Sequence, residues 1–246
     1  GLTTADGVMR YLAEHDMGYL SGTGYRVPIV PAAILFDLQT GEQGIYPTAE
    51  TGYAACENAS TDTVEQGCVG AGTGAICGGM LGAEFATKGG IGSASIALDD
   101  ELIVAAMVAV NAVGDVLNED GSILGGLRTP PDGNSFRGTL NALKDRARLQ
   151  PPASRENTVI GLVATNAKLS KAHCTKVAQM AHDGIARAIN PAHTMYDGDT
   201  IFALATGDIP ADTTIIGAYA AEAMSMAIRN AMRHATTLHN VRAWND

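Results

Sequence analysis

An apolar strand pattern begins abruptly at Thr158, directly after a long segment that shows no apolar periodicity. The segment 125–156 contains Pro-Pro and Asp-Gly pairs together with six Lys or Arg residues, which predicts an exposed loop. The run Thr158–Thr165 is apolar and predicts a buried strand. A β-branched residue is ordinary at the start of a strand, but its hydroxyl is also placed here to attack the Asn157 carbonyl.

Scission of the Asn157–Thr158 bond would turn this junction into a catalytic group. Thr158 would become an N-terminal residue, whose free amine can act as the base for its own Oγ. Such an amine has an ordinary pKa of about 7.7 to 8.0, so it is available as a base near neutral pH. The junction therefore predicts a self-processed amide hydrolase, cut into a larger chain, 1–157, and a smaller chain, 158–246.

The composition is that of a compact enzyme and excludes other classes of function. The chain has 246 residues, of which 46% are apolar and mostly aliphatic, which predicts a single domain over 1–246. The net charge is -10 and the Lys and Arg residues form no cluster, so nucleic acid is excluded as a partner. The longest apolar run, Leu102–Val110, is too short to span a bilayer, and no signal-peptide pattern opens the chain. We therefore expect a cytoplasmic protein with no membrane partner.

Cysteine and histidine spacing does not indicate a metal site. The four cysteines have no CxxC spacing, and none of the six histidines lies in an HExxH or comparable set. Neither of the two glycine-rich loops has the spacing of a phosphate cradle. We therefore expect reduced thiols, no resident metal and no cofactor.

Hydrophobic periodicity predicts the main helices and strands. The expected elements are a helix after Thr3, strand Ile29–Phe36, helix Ala49–Asn58, strands Ser93–Leu98 and Leu102–Val110, helix Ser170–Ile189, strand Ile201–Thr206 and helix Gly217–Thr236. In the last helix, Met224 and Ile228 should face the core and Arg229 should face water.

Three polar side chains stand in or beside predicted strands, and each has a structural and a functional explanation. Asn111 lies within an apolar strand, where it is either an oxyanion donor or an amide that bonds neighbouring loop backbone. Asp197 and Asp199 have the spacing that puts both carboxylates on one face of a strand, where they could orient the amine and hydroxyl of Thr158. The same pair could hold a divalent cation or simply form the turn that enters the strand.

Two glycine-dense loops precede these strands, so backbone must pass close to another group there. Gly70, Gly72 and Gly74 lie in the first loop and Gly90 lies in the second, and all four are candidate substrate or backbone-contact positions. Lys88 stands at the start of the second loop. It could pair with the two Asp carboxylates, although a lysine beside glycines is more often solvated.

Taken together and in this order, five runs resemble the P1 family of self-processing peptidases, which includes the D-aminopeptidase DmpA, β-aminopeptidases and the nylon-oligomer hydrolase NylC. The runs are Val27–Asp37, Gly70–Gly74, Lys88–Ser95, Asn157–Thr158 and Asp197–Thr200. The resemblance implies an α/β (α+β) fold, a four-layer αββα sandwich of the DmpA and ornithine acetyltransferase type. It also implies a homo-oligomer, commonly a tetramer, that acts on a small peptide or amide.

The resemblance assigns roles to single residues. It implies that Thr158 is the nucleophile, Asn111 the oxyanion donor, and Asp197 and Asp199 the orienting acids. The Asn-Thr junction and the paired acids are closer to the nylon-oligomer branch than to the aminopeptidase branch.

The sequence departs from the family pattern in two places. The nylon-type pattern carries a Lys shortly after the GAG loop, where this sequence has Gly79, so Lys88 is the candidate substitute. The family also has a segment upstream of the point where this chain begins. We therefore expect part of the larger chain and of the substrate pocket to lie outside this sequence.

Two other functions stay open from the sequence. An acyltransferase of the ornithine acetyltransferase type shares this kind of fold and nucleophile, but an amine accepts the acyl group instead of water. A non-catalytic metal-binding or assembly module, built on Asp197 and Asp199, would leave the chain intact. Product analysis distinguishes the acyltransferase from the hydrolase, and self-cleavage distinguishes the hydrolase from the module.

Overall fold

A computed structural model of the chain describes residues 1–42, 44–130, 132–145, 147 and 157–246. Contacts divide the chain into two compact units, where the sequence predicts a single domain. The first unit comprises Gly1–Ile34 and Glu42–Val64, and the second comprises Leu35–Gly41 and Glu65–Asp246. The predicted scission into 1–157 and 158–246 stays a prediction.

The described residues form both helices and strands, and six of the strands follow one another between the second and third helices. The helices are α1 (Thr3–Glu14), α2 (Ala49–Glu57), α3 (Thr139–Asp145), α4 (Lys171–Ala188) and α5 (Thr213–Arg233). The strands are β1 (Tyr19–Leu20), β2 (Arg26–Val27), β3 (Ile76–Cys77), β4 (Thr87–Lys88), β5 (Ile91–Ala97), β6 (Ile103–Asn111), β7 (Asp115–Leu117), β8 (Ile123–Gly125), β9 (Thr158–Ala167), β10 (Ile189–Asn190) and β11 (Thr200–Ile209). Within these described ranges, none of the helices is long and apolar enough to cross a membrane.

In the first unit, α1 and α2 pack against each other at two glycines. A Cβ atom on Gly7 of α1 would lie 1.7 Å from the carbonyl oxygen of Ala49. A Cβ atom on Gly52 of α2 would lie 2.0 Å from the carbonyl oxygen of Thr4. Glycine at both positions therefore lets the two helix backbones touch, which no larger residue would permit.

A four-stranded sheet with the order β11-β9-β6-β5 organises the second unit. β9 is parallel to β11 and antiparallel to β6, and β5 is antiparallel to β6. Alternate residues of β9 from Val159 to Ala167 are buried, and those between them are half-buried. The strand that begins at Thr158 is therefore a central strand with one face turned to the core.

The helices α4 and α5 pack against one face of this sheet, and small residues make the approach close. A Cβ atom on Gly92 of β5 would lie 2.0 Å from the Ala227 carbonyl oxygen of α5. One on Gly184 of α4 would lie 2.3 Å from the Ala221 carbonyl oxygen of α5. The helix layer therefore fixes the position of the sheet through backbone contacts as well as through apolar side chains.

A second, three-stranded sheet has the order β10-β7-β8. Asp115 opens β7, is 3% exposed, and holds the backbone that follows this sheet. Its carboxylate accepts from the Leu127 N–H at 2.7 Å, and from the N–H and the hydroxyl of Thr139 at 2.5 and 2.9 Å. Burial raises the pKa of the Asp115 carboxyl, while these donors favour its ionised form.

The mixed helix-and-sheet class expected from the sequence is confirmed. The α4–α5 layer and the four-stranded sheet beneath it are two adjacent layers of the expected sandwich. The predicted helices over Ala49–Asn58, Ser170–Ile189 and Gly217–Thr236 correspond to α2, α4 and α5. The predicted cap of α4 is confirmed as well, because the Ser170 side chain accepts from the His173 N–H.

Three details of the sequence prediction are wrong. The segment Ile29–Phe36 is irregular, and Ile29 is 69% exposed, because Pro28 and Pro31 each lack the N–H that a strand needs. Arg229 is 7% exposed instead of facing water, since its Nε donates to the Leu117 carbonyl at 2.9 Å. The loop expected over 125–156 is interrupted by α3, while 131, 146 and 148–156 lie outside the described residues.

The packing of α5 can be tested with two methionines on the same helix. Met224 is fully buried, whereas Met226 is 38% exposed. Met224→Ala should lower the free energy of unfolding by about 2–5 kcal/mol, because it removes buried contacts and leaves a cavity. Met226→Ala should change it by about 0.5 kcal/mol or less. Urea unfolding of both variants is the measurement, and equal losses would contradict this placement of α5.

Candidate active site

The predicted scissile bond lies at the start of the central strand. Thr158 is the first residue of β9 and is 8% exposed, and Asn157 before it is 5% exposed. Across the β6–β9 pair, Thr158 lies directly opposite Asn111. Asn157 forms a parallel bridge with Asp197, shortly before β11 begins. The structure therefore brings four of the predicted site residues together at one end of the sheet.

The carbonyl oxygen of Asn157 accepts two hydrogen bonds. The Thr158 hydroxyl donates to it at 2.6 Å, and the backbone N–H of Gly198 donates to it at 2.9 Å. The predicted nucleophile is thus in contact with the carbonyl group that it would attack. The Gly198 N–H is a second donor to this oxygen atom, on which negative charge would develop during the attack.

Asn157 is held by its backbone, whereas its side chain is poorly satisfied. Its N–H donates to the Tyr196 carbonyl at 2.9 Å. Its side-chain Oδ1 is buried and finds no hydrogen-bond partner among the described residues. A buried polar atom without a partner is destabilising, and this one belongs to the residue whose C-terminal bond is predicted to break.

The Asn111 amide bonds loop backbone on both sides. Its Oδ1 accepts from the Ile76 N–H at 3.1 Å, and its Nδ2 donates to the Phe36 carbonyl at 3.1 Å. The uncut chain therefore shows the structural alternative that the sequence leaves open for Asn111. The oxyanion role stays a prediction, and Gly198 supplies the backbone donor on the scissile carbonyl in this structure.

Asp197 joins two turns to the start of β11. Its Oδ1 accepts from the Val113 N–H at 3.2 Å. Its Oδ2 accepts from the N–H and the hydroxyl of Thr194 at 3.0 and 2.6 Å. The carboxylate is therefore held from both sides by groups that belong to different segments of the second unit.

Asp199 bonds the residue that follows the predicted nucleophile. Its side chain is 4% exposed, with Oδ1 accepting from the Val159 N–H at 2.9 Å and Oδ2 lying 2.8 Å from Nδ1 of His193. Burial raises the pKa of Asp199, and the negative charge of the Asp197 carboxylate adds to the rise. The His193 ring lies 5.0 Å from that of His182, whose pKa is lowered by burial and by His193. A buried acid and a histidine pair therefore lie beside the junction.

Lys88 is fully buried and ties the two glycine loops together. Its Nζ donates to the carbonyls of Gly72, Ala75 and Gly89 at 2.9, 2.8 and 3.1 Å. Burial lowers the pKa of Lys88. The structure therefore shows neither the solvated lysine nor the pairing with the two Asp residues that the sequence suggests.

The glycines of the two loops allow backbone segments to touch. A Cβ atom on Gly72 would lie 2.4 Å from the Gly67 carbonyl oxygen, and one on Gly90 would lie 2.7 Å from the same atom. One on Gly74 would lie 2.1 Å from Oδ2 of Asp37. Gly70 is instead required by its backbone, which has a φ of +50°. These loops are built close to the protein's own backbone, as the glycine density predicts.

Sequence reasoning did not single out Gly198, whose backbone N–H bonds the Asn157 carbonyl oxygen. It acts through its backbone N–H, which leaves no side-chain signature, and the flanking pair of acids is the one signal in the sequence. His193 has no motif of its own in the sequence either, yet its Nδ1 lies 2.8 Å from Oδ2 of Asp199. Among the described residues, no three His, Cys, Asp or Glu side chains are grouped so that they could hold a metal ion.

Known proteins similar to this chain are peptidases and amide hydrolases. The model of peptidase family S58 matches residues 1–244. An uncharacterized aminopeptidase of Mycobacterium leprae is 45% identical over 229 residues, which cover 87% of this chain and 59% of that protein. A 6-aminohexanoate-oligomer endohydrolase of Kocuria sp. is 31% identical over 215 residues, which cover 87% of this chain and 59% of that protein.

The fold is also found in a solved structure. A β-aminopeptidase of Burkholderia sp. superposes with a TM-score of 0.64 at 24% identity, over 98% of this chain and 66% of that chain. This likeness supports the fold class expected from the sequence. The chain spans 59% of the length of the two relatives named above. Because the family model covers it from end to end but for two residues, the chain belongs to peptidase family S58.

Proposed function

We propose that this chain is a self-processing hydrolase of peptide or other linear amide bonds, with Thr158 as its nucleophile. The observation that carries the proposal is the 2.6 Å contact between the Thr158 hydroxyl and the Asn157 carbonyl oxygen. Membership of a peptidase family supports amide hydrolysis as the reaction. The two relatives are named as an aminopeptidase and an oligomer endohydrolase, which supports the same reaction class.

Self-processing begins with attack of Thr158 Oγ on the carbonyl carbon of Asn157. The C=O electron pair moves onto the oxygen, and collapse of this intermediate breaks the bond to the Thr158 nitrogen. The nitrogen takes the proton that the hydroxyl gives up, so an ester and a free amine result. Water then hydrolyses the ester and leaves Asn157 as a carboxylate and Thr158 as a free N-terminus.

The mature enzyme uses the same residue on its substrate. The freed amine accepts the proton of Thr158 Oγ as the hydroxyl attacks the amide. The C–N bond of the substrate then breaks, the departing amine takes that proton, and water hydrolyses the acyl-enzyme that remains. We assign Asn111 as the oxyanion donor of this second reaction, because it lies opposite Thr158 in the β6–β9 register. Asp197 and Asp199 are assigned to orient the new amine and hydroxyl, since both lie beside the junction.

The finer assignments rest on the family resemblance. We propose small peptides or peptide-like amides as substrates and water as the acyl acceptor. A homotetramer is the proposed assembly, and the cytoplasm is the proposed location. Screening the processed protein against α-, β- and D-aminoacyl amides and 6-aminohexanoate oligomers is the experiment that identifies the substrate class.

Replacement of the nucleophile tests the proposal most directly. Thr158→Ala should stay uncut and hydrolyse no amide, because it has no Oγ to attack with, whereas Thr158→Ser should still be cut. Intact mass spectrometry of the purified chains is the measurement. Thr165→Ala is the matched control, since Thr165 is a 4% exposed threonine on the same strand, and it should be cut like the parent. A fragment that starts at residue 158 in the Thr158→Ala sample would refute the nucleophile assignment.

As the pH is lowered, the rate of self-cleavage should begin to fall at a pH above the ordinary pKa of an Asp side chain. The pKa of Asp199 is raised by burial, so this carboxylate gains its proton above the usual value of about 3.9 as the pH falls. A protonated Asp199 is a weaker acceptor for the Val159 N–H and for His193. The residues around the Asn157–Thr158 bond are then held less firmly. Asp199→Asn should remove this acid limb, whereas Asp208→Asn, at an exposed acid on the same strand, should leave it in place. An unchanged acid limb in Asp199→Asn would assign the titration to another group.

Lys88 is proposed to hold the glycine loops instead of acting on the substrate. Lys88→Met should lower the free energy of unfolding by about 3 kcal/mol or more, because three buried carbonyls lose a charged donor. Lys176→Met, at an exposed lysine in the middle of α4, should change it by about 0.5 kcal/mol or less. Chemical denaturation gives both values. A Lys88→Met protein that is as stable as the parent but inactive would instead place Lys88 in the catalytic machinery.

A further inference from the structure

We propose that the backbone N–H of Gly198 is the oxyanion donor for self-cleavage, and that Asp197 and Asp199 act as positioning residues that hold it in place. This inference rests on the proposed function, because it concerns the same scission. It assigns a peptide N–H as a catalytic group. It also assigns a positioning role to the two acids in the uncut chain.

The geometry of the uncut junction supports this assignment. Gly198 N lies 2.9 Å from the Asn157 carbonyl oxygen, and Asn157 N lies 2.9 Å from the Tyr196 carbonyl oxygen. These two hydrogen bonds attach the residue before the cut to the segment 196–198. Asn157 is therefore held through both its N–H and its C=O. Its carbonyl oxygen accepts from a donor before any reaction takes place.

The chemistry of the attack makes this donor catalytic. When Thr158 Oγ bonds to the Asn157 carbon, the carbonyl oxygen gains a full negative charge. A hydrogen bond from Gly198 then becomes charge-assisted, so it stabilises the intermediate more than it stabilises the intact peptide. Loss of one such donor typically slows a reaction by roughly 100- to 1,000-fold.

The flanking acids fix the direction of this N–H. Asp197 is anchored through the Val113 N–H and through two donors of Thr194. Asp199 is anchored through the Val159 N–H, one residue beyond the nucleophile. The donor peptide is thus held on one side by two turns and on the other side by β9 itself. Because β9 also carries the nucleophile, Gly198 and Thr158 are positioned relative to the same strand.

Glycine at position 198 leaves space beside the Thr158 hydroxyl. A Cβ atom there would lie 3.1 Å from Thr158 Oγ, which is closer than ordinary van der Waals contact. The residue is exposed, and its φ is not in the left-handed region. Glycine therefore keeps a side chain away from the hydroxyl while its N–H donates to the carbonyl.

Replacement of Gly198 by glycolic acid during cell-free synthesis tests the donor. This change puts an ester oxygen in place of the N–H and alters no side chain. The matched control is the same replacement at Gly121, whose N–H donates to the Asn118 carbonyl at 3.1 Å in an exposed turn. Self-cleavage is followed by gel after a pulse of labelled synthesis.

We expect the ester at 198 to slow self-cleavage by roughly 100- to 1,000-fold, and the ester at 121 to leave the rate unchanged. Slowing by less than 10-fold at 198, in a parent that cleaves, would overturn the assignment of Gly198 and leave the proposed function standing. A parent chain that never cleaves would contradict the proposed function itself.

A side-chain variant gives a second test, which does not require the ester-containing protein to fold. Thr194→Val removes the hydroxyl that donates to Asp197, and it should slow self-cleavage by about 10-fold. Thr194→Ser keeps that hydroxyl and should restore the rate to within about twofold of the parent. Thr194→Ser should also keep the parental midpoint of denaturation, whereas Thr194→Val should lower it slightly, because one hydrogen bond to a carboxylate is lost. A Thr194→Val chain that is cut at the parental rate would contradict the positioning role of Asp197.

Discussion

The site depends on one shared acceptor, the carbonyl oxygen of Asn157, which receives the hydroxyl of Thr158 and the backbone N–H of Gly198 together. This meeting requires that β9 and β11 run parallel, because parallel neighbours begin at the same end of a sheet. The first residue of one strand then lies beside the loop that leads into the other. An antiparallel pairing of these strands would have put Gly198 at the far end of β9. The α4 connection between β9 and β11 permits this parallel direction. Strand direction therefore brings the proposed nucleophile and the proposed donor together.

Irregular backbone around this end of the sheet is held by charged side chains, two of them buried and Asp197 half-buried, instead of by ladder hydrogen bonds. Lys88 donates to three carbonyls, Asp115 accepts from three donors, and Asp197 accepts from three more. A buried charge is costly without partners, and backbone groups in loops are costly when they are unpaired. Here the charged side chains pair with the backbone groups, so neither is left without a partner. This reciprocity explains why the loops contain glycine, since backbone must come within reach of a single charged atom. Burial is also the first cause of the pKa shifts of Lys88 and Asp115.

The sequence predicts the features of this molecule that depend on side chains better than those that depend on backbone groups. Thr158 and Ser170 act through side chains at element boundaries, and α5 has a clear apolar periodicity, so the junction, the cap and the helix were all predictable. The strand expected over Ile29–Phe36 fails because apolar content alone does not supply the N–H groups that its prolines lack. Arg229 was misplaced because helical periodicity cannot show that a carbonyl from β7 lies within its reach. Gly198 and the carbonyls around Lys88 act through backbone, which has no sequence signature. The proposed oxyanion donor and the anchor of the glycine loops are therefore visible only in the structure.

The two acids beside Gly198 can serve both stages of the proposed reaction because the chemistry of the Thr158 nitrogen changes between them. Before scission that nitrogen belongs to a peptide bond and carries no basic lone pair, so there is no amine for a carboxylate to orient. In this state Asp197 and Asp199 bond backbone N–H groups and thereby fix the segment that holds the scissile carbonyl. Scission removes the carbonyl and creates an amine at the same place, beside carboxylates that are already positioned. The backbone-holding role seen here and the orienting role implied by the family resemblance are therefore successive, and the first prepares the second.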